Sequence, residues 1–207
     1  MKTRAMAVLL AALAATGCSR RDPTVGTEPS ASASARAAPS VLPGDSIYVL
    51  GTRLLDQTGA DVPLDVFRGH PVLAAMFYGT CPAACPTLTR DLKGIEGQLT
   101  TEERADVRVL MISFDPGRDT PAALQALADK HNVDTTRWKF ATSSESGVRE
   151  LSAVLGVQYR KIDNGEYSHS TKIVLLDRDG AIVTALEGLR QPPDDLLAKL
   201  RGLPPAR

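Results

Sequence analysis

A continuous apolar run, Pro71 to Tyr78, leads directly into Gly79-Thr80-Cys81-Pro82-Ala83-Ala84-Cys85-Pro86. No other stretch restricts the fold as much. A run of strand length without polar alternation reads as a strand covered on both faces, and such strands belong to sheets with helices packed against them. Downstream, Leu88, Leu92, Ile95 and Leu99 recur at helical spacing. The two cysteines therefore stand between a buried strand and an amphipathic helix. They lie at the carboxyl edge of the sheet, where the functional loops of open α/β sheets gather.

The rest of the chain extends this plan. Ile47 to Leu55 and Asp61 to Val66 flank Asp56-Gln57-Thr58-Gly59 and predict a β-hairpin. Val107 to Phe114 is a second buried strand, ending in Asp115-Pro116-Gly117-Arg118-Asp119-Thr120-Pro121. There Thr120 caps and Pro121 opens a helix whose inner face is Leu124, Leu127 and Ala128. Trp138 to Ala141 reads as a short strand, and Ser144 to Leu155 as a helix stopped by Gly156. Val157 to Ile162 is extended, and Asp163-Asn164-Gly165 turns the chain toward a loop carrying His169. Lys172 to Leu176 pairs with Ala181 to Leu186, and Pro193 to Leu200 closes with a helix. This order predicts an α/β, thioredoxin-like fold: a mixed sheet flanked by helices, with an N-terminal β-hairpin.

Lys plus Arg and Asp plus Glu number 24 each, so the formal net charge is zero and the basic excess of a nucleic-acid binder is absent. The first residues have another purpose. Lys2 and Arg4 precede an apolar run, Ala5 to Ala15, too short to cross a bilayer as a mature helix. Ala15-Thr16-Gly17-Cys18 resembles a bacterial lipobox, with Ala15 where Leu is usual. That resemblance implies a signal peptide over residues 1–17, lipid on the Cys18 sulfur, and an exported, periplasm-facing, membrane-anchored lipoprotein. Residues 18–41 are rich in Pro, Ala and Ser and read as a flexible tether, leaving 42–207 as the folded domain.

With Cys18 lipidated, only Cys81 and Cys85 remain as thiols, in an oxidising compartment. A disulfide across so short a loop stabilises a domain of this size little, so a purely structural bridge explains the pair poorly. Pro86 is expected at the first helical position, which puts Cys85 at the N-cap. A thiol there feels the positive end of the helix dipole, and its pKa is expected to fall. Such a pair can cycle between dithiol and disulfide, or hold a soft ion such as Cu(I) or Zn. Of three histidines, His70 and His131 read as solvated or structural. His169, taken by itself, reads as a surface-loop residue. Asp115 and Asp119 suit a strand-to-helix turn better than a hard-metal site, with Asp119 supporting the helix start and Arg118 pairing locally.

Three segments together resemble the SCO/SenC family. They are Phe77 to Pro86, Ser113 to Pro121, and Tyr167-Ser168-His169-Ser170 before a strand. They occur in the family's order and span nearly the whole domain. The resemblance implies copper bound by Cys81, Cys85 and His169, as Cu(I) with Cu(II) as a second state, and a Cys81–Cys85 disulfide when oxidised. It implies a metallochaperone for the dinuclear copper centre of cytochrome c oxidase, with the copper-centre subunit or another copper or thiol acceptor as partner. An exported thiol-disulfide oxidoreductase and a copper or redox sensor are the alternatives. A peroxiredoxin fits less well, because the partners of its single reactive cysteine have no counterparts here. Ser168 stands where Asp is frequent in the family, and Ala83-Ala84 replaces a commonly polar pair.

Overall fold

The computed structural model describes residues 42–81 and 84–205. The signal peptide, the lipid-bearing Cys18 and the tether expected from the sequence lie outside the described residues. In chain order the strands are β1 (Arg53–Asp56), β2 (Asp61–Pro63), β3 (Val72–Phe77), β4 (Arg108–Ser113), β5 (Trp138–Thr142), β6 (Tyr159–Lys161), β7 (Tyr167–His169), β8 (Lys172–Leu176) and β9 (Ile182–Glu187). The α-helices are α1 (Ala84–Glu96), α2 (Thr101–Asp106), α3 (Pro121–His131), α4 (Glu145–Val154) and α5 (Asp194–Arg201).

All six residues of β3 are buried, as an unbroken apolar run between two covered faces requires. The main sheet runs β2-β1-β5-β4-β3-β8-β9. Its centre, β3, β4 and β5, is parallel, and β8 lies antiparallel to β3. Helices flank it through the expected stripes: Leu88, Leu92 and Ile95 of α1, Leu124 and Ala128 of α3, Val148 and Leu151 of α4. Full burial of one such leucine contributes about 1.5–3 kcal/mol. Trp138 and Phe140 of β5 are buried and stack, with ring centroids 6.3 Å apart.

Two features of this topology make the site. Phe77 and Ser113 are in register, so the loops after β3 and β4 leave the sheet side by side. Ala75 pairs with Ile173, so β8 begins at the same edge where β3 ends. Residues just before β8, His169 among them, therefore arrive beside the cysteines.

The hairpin forms over Arg53 to Pro63, with Gly59 at a φ of 83° and its N–H on the Asp56 carbonyl at 2.9 Å. Its flanks differ from expectation. Ile47–Leu50 and Leu64–Phe67 are 3₁₀ turns. Ser46 accepts from the Tyr48 amide, a local bond that competes with strand pairing. The sequence pattern also misses α2, which buries none of its side chains and so shows no apolar stripe. It is set by a capping box: Thr100 Oγ accepts from the Glu103 amide, and Glu103 accepts from the Thr100 amide.

Candidate metal centre

The loop after β3 turns through a Cys81 N–H to Tyr78 C=O bond of 3.2 Å and is pinned from the neighbouring strand. Asp119, fully buried, accepts from the Gly79 N–H at 2.8 Å and from the Ser113 hydroxyl. Burial raises the Asp119 carboxyl, while those two donors oppose the rise. Asp119 therefore anchors the cysteine loop; it does not support the start of α3 as expected from sequence. That start belongs to Thr120, whose Oγ accepts from the Ala123 amide at 3.3 Å. The anchor also explains Gly79. A Cβ there would lie 2.4 Å from Asp119 Oδ1.

Helix α1 begins at Ala84, two residues earlier than the proline argument places it, so Cys85 sits inside the first turn and not at the N-cap. Pro86 is tolerated because first-turn amides lack intrahelical partners, so its missing N–H breaks no bond. The Cys85 amide is directed at Cys81, donating to its Sγ at 3.3 Å. Both thiols are buried and unbridged. Burial pushes the Cys85 thiol up, opposed by a backbone hydrogen bond from Tyr78 and aided by the neighbouring Cys81 and Asp119. This reverses the lowered pKa expected from the helix dipole. Desolvation of a group with so little access to water outweighs a terminal partial charge.

His169 is the last residue of β7, in a small antiparallel sheet with β6, and not in a loop as read from sequence. Tyr159 pairs with His169, and Gly165, at a φ of 83°, closes the turn. The hairpin is tied to the β4–α3 loop at two points. Tyr167 O–H donates to Asp115 Oδ1 at 3.2 Å, and Arg118 donates to the Gly165 carbonyl at 3.0 Å while pairing with Asp115. Asp115 is thus a strut for the histidine hairpin, not a ligand.

One donor atom from each of Cys81, Cys85 and His169 lies within 4.8 Å of the others, the only such group of three metal-binding side chains among the described residues. His169 Nδ1 lies 3.0 Å from the Ser170 carbonyl. A carbonyl accepts only, so Nδ1 carries the proton and Nε2 keeps its lone pair for a metal. Two sulfurs and one imidazole form a soft donor set, suited to Cu(I) and unsuited to Mg or Ca.

Sequence reasoning missed the wall around this group. Tyr78 and Phe114 lie 5.8 and 5.1 Å from the His169 ring, and Tyr167 and Tyr159 pack on Phe114 at 5.2 and 5.0 Å. The signal was in the composition: three of only four tyrosines fall here. Burial raises the Tyr78 hydroxyl, which also contacts Glu166 and Cys81. His70 is remote and structural, with Nδ1 2.9 Å from the Asp106 carbonyl. His131 ends α3 and, with Cys81 and Cys85, lines a cavity of about 20 Å³.

A sequence model of the family described as SCO1/SenC matches residues 51–204. The SCO1 protein homolog of Bacillus subtilis (strain 168) is 25% identical over 150 residues, 70% of this chain and 77% of its own length. Bradyrhizobium japonicum ScoI, solved with copper bound, matches at 25% identity and a TM-score of 0.62, over 74% of this chain and 97% of its own. BsSco matches at 25% identity and a TM-score of 0.63, over 72% of this chain and 88% of its own. Its structure is described as identifying a disulfide switch in a member of the Sco family of cytochrome c oxidase assembly proteins. The mixed sheet flanked by helices is the thioredoxin-like fold that these Sco proteins share.

Proposed function

This chain belongs to the SCO1/SenC family, and from that premise we propose that it binds copper through Cys81, Cys85 and His169 and delivers it during assembly of the cytochrome c oxidase copper centre. The observation that carries this reading is the convergence of two buried sulfurs and an imidazole within 4.8 Å. Copper-bound ScoI and the assembly role of the family of BsSco support it.

Copper is the cargo. Each cysteine loses a proton as the ion enters, since a thiolate and not a thiol is the ligand. Two thiolates and a neutral imidazole around Cu(I) leave a single negative charge, which the surrounding aromatic rings shield from water. The Cys85 amide steadies the Cys81 sulfur, and Ser170 holds the His169 tautomer. His169 is more exposed than either cysteine, so it is the ligand that an acceptor's thiol replaces first. Copper then passes by ligand exchange, leaving both cysteines reduced.

A second reading uses the same pair as a thiol-disulfide reductant: two thiols give a disulfide, two protons and two electrons, which reduce an acceptor disulfide. The amide donated to Cys81 Sγ favours it, as does the disulfide switch described for BsSco. The readings are separated by a transfer assay. Cu(I)-loaded chain is mixed with reduced apo copper-centre domain, and with the oxidised domain. Metal transfer to the reduced domain, lost in His169→Ala, supports delivery. Thiol release in the oxidised domain that is indifferent to His169→Ala supports the reductant and sinks delivery as the primary role. Lipid on Cys18, holding the domain at the periplasmic face of a membrane, completes the proposal. Its check is radiolabelled palmitate incorporation, expected in the wild type and absent in Cys18→Ser.

A further inference from the structure

The thiols have basic neighbours that metal binding does not use. Lys130 and His131, the last two residues of α3, line the small cavity beneath Cys81 and Cys85 together with Thr89 and Leu127. On the facing helix α1, Lys93 donates to the His131 carbonyl at 2.8 Å, tying the two helices together. Arg90 lies one turn nearer the thiols on the same helix. The field of Lys130, Lys93 and Arg90 reaches His131 and, after burial, helps lower its pKa. Arg90 and Lys130 are exposed, and neither has an ion-pair partner among the described residues. Acids on these two helices are engaged elsewhere: Asp91 accepts from the Arg190 amide, and Asp129 from Gln125.

A chain of zero formal net charge cannot steer a partner by its total field, but a local patch can. We propose that the face formed by Arg90, Lys93, Lys130 and His131 docks an acidic surface of the copper-accepting protein, orienting it against Cys81 and Cys85. This rests on the delivery reading above and adds the chemistry of the partner's surface. An anionic membrane suits the face less well. Membrane-seeking faces pair cations with apolar side chains, and among the described residues the exposed large apolar ones, Val49, Leu55, Val66, Val154 and Ile182, all lie on other segments. A second copy of this chain would bring the same cations and be repelled.

The test uses the full chain in neutral detergent micelles, with the soluble copper-centre domain of the oxidase as probe. At about 20 mM salt, Arg90→Glu/Lys130→Glu lowers the association rate about tenfold or more, because steering accounts for most of a fast encounter. At about 1 M salt, where screening acts within about 3 Å, the difference closes. Cu(I) affinity of the variant is unchanged, which also shows that it is folded. A charge-matched control, Arg53→Glu/Lys199→Glu, associates as the wild type does. Equal rates for the wild type and Arg90→Glu/Lys130→Glu overturn the proposal. So does a Cu(I)-binding wild type that never associates with the probe. Phosphatidylglycerol vesicles that displace the probe from the wild type, but not phosphatidylcholine vesicles, would assign the face to lipid and overturn it as well. Failure of the wild type to bind Cu(I) would overturn the delivery reading and this one together, and it shows in the titration before any probe is added.

Discussion

Replacing Gly79 by alanine perturbs the loop that holds Cys81 without touching a ligand. The new Cβ would lie 2.4 Å from Asp119 Oδ1, and 3.2 Å from both Asp119 Cγ and Leu127 Cδ1. Asp119 has no room to yield, being 2% exposed and bonded to Gly79 N–H and the Ser113 hydroxyl. Either the carboxylate leaves both donors or the loop lifts. Overpacking costs about 1–3 kcal/mol, and a lost bond to a charged acceptor about 1.5–3 kcal/mol. The two penalties overlap as the site relaxes, so the expected destabilisation is about 2–4 kcal/mol, a fall in Tm of about 4–16 °C for a chain of this size. Thermal melting of the reduced apo protein measures it. Because the displaced loop carries Cys81, Cu(I) affinity should fall about tenfold, equivalent to about 1.4 kcal/mol. In an Asp119→Ala background the contact with the carboxylate is gone and only the longer one to Leu127 remains, so Gly79→Ala should cost at least about 1 kcal/mol less than alone. A Tm within about 1 °C of wild type, with additive single and double variants, would refute the proposed anchor.

Three further outcomes follow from other parts of the molecule. Thr100→Ala removes half of the α2 capping box and should destabilise by about 1 kcal/mol, read as a lower urea midpoint with unchanged slope. Arg178, followed by His70, holds the Asp106 carboxyl below its ordinary range. The stability this confers is present above the unfolded pKa of about 3.9 and is lost as pH falls through the lower folded value, so Asp106→Asn should flatten the acid limb of a stability–pH curve below about pH 4. Burial raises Cys85, so in the apo protein its thiol stays protonated at neutral pH and copper must displace that proton. Apparent Cu(I) affinity should therefore climb with pH across the neutral range, and a pH-independent affinity would contradict a thiol ligand with a raised pKa.

The sheet and its helices were legible because their signals are local. β3 and β4 are short apolar runs, α1 and α4 carry clear stripes, and Gly59 and Gly165 mark turns by needing positive φ. α2 was not, since a helix with no buried face leaves only its cap residues as a trace. The three candidate ligands were recognised through the ordered motifs, whereas periodicity alone leaves His169 a surface residue. Its approach to the cysteines depends on the antiparallel placement of β8 beside β3, a non-local pairing that no window of sequence contains. The helix dipole alone predicts the wrong sign for Cys85 for a related reason. The helix dipole can be inferred from sequence, but the depth of burial that opposes it is a property of the assembled fold.

The central claim is a three-ligand copper site, and anaerobic titration of the reduced chain with Cu(I) against a chromogenic chelator tests it most directly. One equivalent should bind tightly to the wild type. Cys81→Ser and Cys85→Ser should each abolish competition with the chelator, and His169→Ala should weaken it by at least about tenfold, equivalent to about 1.4 kcal/mol. His169→Ala binding copper as tightly as wild type would contradict the role given to the β6–β7 hairpin. Full competition by either serine variant would contradict the site itself.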